Sequence, residues 1–267
     1  MEEQSELDRA FELAAKDPAS RPEFYRLLLA SDIFVIGDSG APGEGAVSIP
    51  AGANISVLRW AKSDGTPIIP FFTSLNDLRK SLTEEVNYLR LPARIFFEMS
   101  RGSHLVLNPK SNCGKEFYPH EVEALLETGV NHIAQERTVT EPTQVLLAQP
   151  AQYPSEMVSA LTSLLAKHVN ITAAFLCLMH GREMSESPSL VVGFSGEGDL
   201  SLAMKEAGSV AADTAPAGIA VDFVVVEAGG SGIGQYMLRS TKPFYERSWG
   251  KKLRALFTRN SKLNLKH

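Results

Sequence analysis

Hydrophobic positions in the first half of the chain follow two spacings, one typical of helices and one typical of strands. Helical spacing predicts two short helices, which begin near Ser5 and Ser20. The apolar run at residues 33–36 predicts a strand. Apolar stretches at residues 55–61 and 67–72 flank an Asp-Gly pair, and this pattern predicts a β-hairpin because Asp-Gly tolerates the positive φ of a tight turn.

The remainder of the first half continues as mixed helix and strand. Ser74 is a suitable N-cap for a helix with leucines at helical spacing. The other predicted elements are a helix at 92–99, short strands at 105–108 and 116–118, and a helix at 119–126. Residues 129–143 lose the apolar period and contain the Gly, Thr and Pro residues typical of a linker. We therefore expect two domains, residues 1–140 and 141–267.

The second domain has a more regular order of elements. The predicted strands are 145–148, 171–179, 189–194 and 219–227, and the predicted helices are 154–167 and 199–207, the second closed by Gly208. This β-α-β-β-α-β order is typical of ferredoxin-like folds. We therefore predict an antiparallel four-stranded sheet with both helices on one face, and an α+β fold of two domains for the whole chain.

The net charge of −5 is unevenly distributed along the chain. From Arg239 to His267, nine Lys/Arg and one acidic residue give a local charge of +8, so the residues before this tail carry −13. Overall acidity argues against a general nucleic-acid-binding protein, because phosphate neutralisation needs a basic face. The basic tail instead indicates a contact surface, suited to an acidic partner.

The sequence also favours a cytoplasmic location. Cys113 and Cys177 are too few to cross-link a chain of 267 residues, and they fit no zinc spacing, so a reducing cytosol is expected. The acidic N-terminus differs from a signal peptide. No apolar run approaches the roughly 20 residues that a membrane span needs. We expect no contact with membranes.

Three short motifs suggest chemistry but lack the partners that the chemistry requires. Residues 37–40 resemble the nucleophile loop of chymotrypsin-like proteases, yet no His precedes His104. Residues 230–234 resemble a dinucleotide-binding turn, but only 33 residues follow and they are basic. His120 and Glu121 lack the second His of a zinc helix. We therefore predict no catalytic residue, no cofactor and no metal site.

A reactive thiol at Cys113 is the principal alternative. Cys113 lies in a polar segment beside Lys115, whose ammonium group would favour a thiolate. Such a thiol would fit a small-molecule or sulfur-metabolism function. The sequence offers no His or acidic partner for it.

Aromatic and basic residues supply the candidates for binding a protein partner. Phe71 and Phe72 are adjacent in a strand and so point to opposite faces, one into the core and one towards a second layer or a partner. Coverage of both side chains within the domain is an equally weighted alternative. Residues 243–250 place three aromatics beside a Glu-Arg pair, either to pack on their own domain or to dock a partner. The candidate set is Phe71, Phe72, Lys115, Phe244, Tyr245, Arg247, Trp249, Lys251 and Lys252.

Several strings, taken together and in order, resemble the enhanced serine sensitivity (SseB) family of bacteria. They lie at residues 20–28, 64–66, 69–75, 97–99, 107–108, 114–117, 208–211 and 243–247. The resemblance implies an N-terminal and a C-terminal SseB domain, a phenotype of raised sensitivity to serine, and a link to a mercaptopyruvate sulfurtransferase. It implies no catalytic residues.

Our interpretation is a non-enzymatic regulatory or adaptor protein of the cytosol that binds another protein. The partner would be acidic, or would be the sulfurtransferase. Besides the sulfur-metabolism alternative, an immunity-type protein that blocks a toxin's active site stays open.

Overall fold

The computed structural model describes residues 4–38, 55–132, 144–181, 187–230 and 232–247. The chain divides into two units, residues 1–133 and 134–267. The predicted boundary near residue 140 and most of the predicted linker lie outside the described residues, as do Ser39, Trp249, Lys251 and Lys252.

Two helices begin the N-terminal unit, as the sequence predicts. Helix α1 spans Glu6–Lys16 and α2 spans Arg21–Ala30, with a 3-10 turn between them. Ser5 caps α1, since its hydroxyl accepts a hydrogen bond from the Asp8 N–H at 3.0 Å. The apolar faces of the two helices contribute to one core, in which the rings of Phe11 and Phe24 stack.

Seven strands of the described N-terminal residues form one mixed sheet. They are β1 (Asp32–Asp38), β2 (Ser56–Val57), β3 (Trp60–Ala61), β4 (Pro67–Phe72), β5 (Tyr88–Pro92), β6 (Leu105–Leu107) and β7 (Lys115–Phe117). Strand β1 pairs antiparallel with β2, β4 and β5. Strand β4 also pairs parallel with β6, and β6 pairs antiparallel with β7. The predicted hairpin is confirmed by the antiparallel pairing of β3 with β4, and Gly65 has a φ of +83° in its turn.

Three further helices lie among the described residues of the N-terminal unit. They are α3 (Leu75–Lys80), α4 (Ala93–Met99) and α5 (Pro119–Thr128). Ser74 caps α3 as predicted, with its hydroxyl accepting from the Asp77 N–H at 3.1 Å. The main core of the unit joins residues of α1, α2, α4 and α5 to the inner face of the sheet, with Phe96, Phe97 and Phe117 fully buried.

The described part of the C-terminal unit contains a five-stranded sheet and three helices. The strands are β8 (Leu146–Ala148), β9 (Ile171–His180), β10 (Ser189–Gly196), β11 (Ala220–Val225) and β12 (Tyr245–Glu246); the helices are α6 (Ser155–Lys167), α7 (Ser201–Thr214) and α8 (Ile233–Ser240). The order is β11-β10-β9-β12, and β8 also pairs with β9. Helices α6 and α7 pack against each other. No described helix has the length and apolar character that crossing a membrane requires.

The α+β class with two domains holds, but the prediction of a ferredoxin-like antiparallel sheet is wrong. Strands β10 and β11 are parallel neighbours, from Ser189 beside Ala220 to Phe194 beside Val225. The physical reason is the connection through α7, which returns the chain to the end of the sheet where β10 begins, so that β11 runs in the same direction. Strand β8 pairs with β9, the next strand in sequence, instead of lying between β10 and β11.

The prediction that Gly208 closes a helix is also wrong. Helix α7 runs from Ser201 to Thr214, and Gly208 lies within it. The residues after Gly208 continue the buried face, including Val210 and Ala211, and burial of this face outweighs the weak helix propensity of one glycine.

Helix α8 covers residues of β9 and β10 that alternate along the two strands. Met237 of α8 is fully buried in a cluster with Phe175, Cys177 and Val191. The alternation follows from the period of two along a strand. Burial raises the pKa of the Cys177 thiol to about 11, so this cysteine is an inert core residue, as its apolar surroundings predict.

Candidate functional site

A group of charged and aromatic side chains gathers where β7 leads into α5. We call Lys62, His104, Glu116, Tyr118 and His120 the Glu116 cluster. Glu116 is central: its Oε1 accepts a hydrogen bond from Lys62 Nζ at 2.7 Å, and its Oε2 accepts one from the Tyr118 hydroxyl at 3.2 Å. The buried Nε2 of His104 lies 3.1 Å from the same Oε2, without hydrogen-bond geometry.

Strand register explains why Glu116 lies at this surface. Phe117 is fully buried in the core, so its neighbour Glu116 points to the opposite face. Strand β7 pairs with β6, which places Glu116 beside Val106 and close to His104, just before β6. Lys62 follows β3, and it reaches Glu116 across 54 residues of sequence.

The hydrogen bond between Lys62 and Glu116 dominates the electrostatics of the cluster. It raises the pKa of Lys62 and, with help from Tyr118 and His104, lowers the pKa of Glu116. Both groups are therefore charged at neutral pH. A carboxylate whose two oxygens already accept hydrogen bonds, and whose pKa is lowered, is a poor general base. The arrangement is better suited to holding its neighbours in place.

Tyr118 is an exposed aromatic residue of the Glu116 cluster, with 48% of its surface accessible. Its ring stacks on His104, with centroids 4.6 Å apart, and on His120, with centroids 6.0 Å apart. Its hydroxyl is anchored by Glu116. The side chain is therefore held in one orientation although almost half of it faces solvent.

A second ion pair fixes the start of α5 behind Tyr118. Lys115 Nζ donates to Glu121 Oε1 at 3.0 Å and also to the Glu116 carbonyl at 3.0 Å. Glu121 Oε2 accepts the Tyr118 N–H at 3.0 Å, one half of a capping box. Lys115, a predicted partner-binding residue, thus lies next to the cluster and supports it.

Phe71 and Phe72 require a correction, because neither side chain reaches solvent. Both are fully buried. Phe71 packs on the rings of Phe96, Phe97 and Phe117 in the main core. Phe72 points to the other face of β4, where it joins a smaller cluster with Ile36 and Leu78 and makes a T-shaped contact with Trp60. Opposite orientation was correctly predicted, and the alternative that both side chains are covered within the unit is the one that holds.

The described part of the C-terminal motif packs on its own unit. Phe244, Tyr245 and Arg247 are all half-buried, and β12 pairs antiparallel with β9. The Arg247 guanidinium donates to four backbone carbonyls near the end of α6. The structure therefore favours self-packing for this part of the motif, and a role of these three residues in partner binding stays a prediction.

The described residues contain no group of three or more His, Cys, Asp or Glu side chains that could hold a metal ion. Cys113 lies partly buried against the main core of the N-terminal unit, and its N–H donates to the Ser111 hydroxyl at 3.2 Å. The structure does not place it in the Glu116 cluster.

Sequence reasoning missed Lys62, His104 and Tyr118 as members of one site. The available signal was the string at residues 114–117, in which Glu116 directly precedes the apolar Phe117 of the same short strand. That string locates Glu116 but says nothing about which distant side chains meet it.

Comparison with known proteins establishes the class of this α+β protein. Residues 7–124 match the model of the SseB protein N-terminal domain, and residues 139–247 match that of the SseB protein C-terminal domain. The chain therefore belongs to the SseB family, and the resemblance inferred from its strings is confirmed.

Individual relatives support the same conclusion. Protein SseB of Escherichia coli (strain K12) and Protein SseB of Shigella flexneri are each 36% identical to the chain over 253 residues. Each match covers 95% of this chain and 96% of the relative. No solved structure matches.

Proposed function

We propose that this SseB-family chain acts in the cytosol as a non-enzymatic regulatory or adaptor protein, and that the Glu116 cluster is the centre of a surface that binds another protein. The observation that carries the proposal is Tyr118, which is almost half exposed yet held by His104, His120 and Glu116. A rigid aromatic loses little conformational entropy on binding. Tyrosine is also enriched among the residues that dominate binding energies at interfaces.

The chemistry of the cluster supports binding in preference to turnover. The Glu116 carboxylate is engaged on both oxygens, and its lowered pKa suits a fixed charge. The two relatives are named Protein SseB, a name that specifies no reaction. For the partner, the family resemblance favours a sulfurtransferase, and the +8 tail favours an acidic surface.

The test is a comparison of partner capture by three versions of the full chain. Tagged wild-type protein, Tyr118→Ala and Tyr153→Ala are used to capture proteins from an extract of the source cells, and the captured proteins are quantified by mass spectrometry. Tyr153 is the control because it is equally exposed, at 50%, and lies in the other unit. The main captured protein is then purified and its Kd measured by calorimetry.

We expect Tyr118→Ala to weaken binding by about 2 kcal/mol, or roughly 30-fold in Kd, and Tyr153→Ala to leave it unchanged. Tyr118→Phe keeps the ring but removes the bond to Glu116, so it should give a smaller loss. Equal Kd values for wild type and a folded Tyr118→Ala variant would refute the proposed surface.

A further inference from the structure

Strand β11 forms one edge of the C-terminal sheet, and its outer side is open. Among the described residues, β11 pairs with β10 alone. The Val226 N–H, just after the strand, donates to the Phe194 carbonyl of β10 at 2.8 Å. Because main-chain groups alternate in direction along a strand, those of Val221, Phe223 and Val225 point away from the sheet. The N–H and C=O groups of these three residues therefore line the free edge.

The two faces of β11 are covered, so its open side is the edge alone. Phe223 stacks on Phe194, on the face that α7 covers. Val224 points to the other face, where it packs against the cluster that contains Met237 of α8. The four central residues of the strand are nevertheless only half-buried, and Val225 is 48% exposed. A strand added at this edge would extend the sheet without moving a helix.

Few of the features that keep an edge strand from pairing are present in β11. Edge strands of natural proteins are commonly very short, interrupted by a bulge, or protected by Lys or Pro. Strand β11 has six residues, Ala-Val-Asp-Phe-Val-Val, and keeps one regular register with β10 along its length. Its β-branched and aromatic residues favour strand pairing. Such an edge is a template for a strand of another chain.

We propose that β11 pairs antiparallel with β11 of a second copy of this chain, about a two-fold axis perpendicular to the sheet at Phe223. In this register Phe223 lies opposite its own counterpart, and Val221 lies opposite Val225 of the second copy. Every outward-pointing main-chain group then has a hydrogen-bond partner. A two-fold contact requires a surface that is complementary to itself, and the spacing of these three residues about Phe223 meets this requirement.

Charge selects the same register. Asp222 is the one ionisable residue of β11. With the axis at Phe223, its carboxylate lies opposite Val224 of the second copy. An axis at Asp222 would place two carboxylates directly opposite each other, which is destabilising. The edge therefore accommodates a copy of itself in one register.

The size of the contact limits its strength. The edge is about 20 Å long, since a strand rises about 3.3 Å per residue. It therefore buries much less than the roughly 1,600 Å² of a standard interface, and we expect a weak, reversible dimer with a Kd on the order of 100 μM. The contact lies in the C-terminal unit and does not depend on the surface proposed around Tyr118.

Sedimentation equilibrium of the full chain, at concentrations below and above the expected Kd, tests for the dimer. Val225→Lys places a charge on the edge and should weaken association by at least about tenfold. Leu146→Lys is the matched control, because Leu146 is an exposed apolar residue of β8, which pairs with β9 in the same sheet. It should leave association unchanged. Circular dichroism shows that each variant is folded.

A wild-type protein that stays monomeric at every concentration would overturn the proposal, as would a dimer that a folded Val225→Lys variant leaves intact. If the wild type is monomeric and Val225→Lys abolishes capture of a different protein from an extract, the edge binds that protein and the assignment to a second copy is wrong.

Cysteine cross-linking tests the register. Hydrogen-bonded antiparallel residues have Cα atoms about 5.5 Å apart, within the range that a disulfide spans. Val221→Cys and Val225→Cys are made separately in a Cys113→Ala background, and each protein is oxidised alone and in an equal mixture. The mixture should give at least about tenfold more cross-linked dimer than either protein alone, because Val221 lies opposite Val225 of the second copy. Equal cross-linking of the single proteins and the mixture would overturn the proposed register.

Discussion

Gly193 occupies a position in β10 where the structure leaves no room for a side chain. A methyl group there would lie 2.6 Å from Val226 Cγ2 and closer still to Met237 Sδ. Carbon atoms in favourable contact are separated by about 3.5–4.0 Å. Met237 can change rotamer, but Val226 is β-branched and stiff, and both side chains are buried. We therefore expect Gly193→Ala to lower the free energy of unfolding by about 1–3 kcal/mol, the usual cost of overpacking.

Urea unfolding followed by circular dichroism measures this cost, and a double-mutant cycle identifies its cause. Met237→Ala alone should cost about 2–5 kcal/mol because it leaves a cavity under α8. In the double variant the new methyl enters that cavity, so the combined cost should be smaller than the sum by about 1 kcal/mol or more. An unchanged urea midpoint for Gly193→Ala, or strictly additive costs, would show that α8 does not pack against Gly193 as described.

The other predictions concern Gly208, Glu116 and Cys113. Gly208→Ala should raise the free energy of unfolding by about 0.5–1 kcal/mol in the same urea assay, because alanine favours a helix interior more than glycine does. A methyl group there meets only Phe223, at 3.9 Å. A loss of stability would contradict this prediction. Glu116→Gln should cost no more than about 1 kcal/mol, since its ion pair is partly exposed and screened. The pKa of Glu116 is lower in the folded state than in the unfolded chain. The cost should therefore be fully present above about pH 4.3, the ordinary pKa of glutamate, and should vanish as the pH falls through the folded-state pKa. Thermal melts at pH 7 and pH 3 that show equal costs would contradict this prediction. Cys113→Ala should leave the serine sensitivity of a complemented strain unchanged, and loss of complementation by a folded variant would favour the sulfur-chemistry alternative.

Local patterns were sufficient for elements whose signals do not overlap. The Asp-Gly turn, the Ser74 cap and the apolar run of β1 all lie where the sequence indicates. Strand β5 is an element that the sequence analysis did not predict. Its leucines 89 and 91 alternate with Tyr88 and Arg90 as a strand requires, but apolar residues at helical spacing run directly into them. Two periodic signals that adjoin without a turn between them leave the boundary undetermined.

The pairing between strands could not be predicted from the sequence, for a different reason. Every strand of the ferredoxin-like prediction exists near its expected position, yet β11 lies beside β10 and not beside β8. Alternation along a strand identifies its buried face, whereas the choice of neighbour depends on how a connecting helix packs. The two-residue strand β12 is defined by its pairing with β9, about 70 residues earlier in the chain, so no local pattern could have revealed it.

The candidate site could not be predicted from residue types in the family strings alone. Phe71 and Arg247 belong to strings that resemble the SseB family, and both were predicted as contact residues. Phe71 is core, whereas Arg247 donates to backbone carbonyls of its own unit and its role in partner binding stays a prediction. Aromatic and basic residues attract attention in a sequence because they dominate both interfaces and cores. The feature that separates the two is exposure combined with fixed orientation, which residue type alone does not reveal. Tyr118 has both, through Glu116 and His104, and this is why we propose it as the centre of a contact surface.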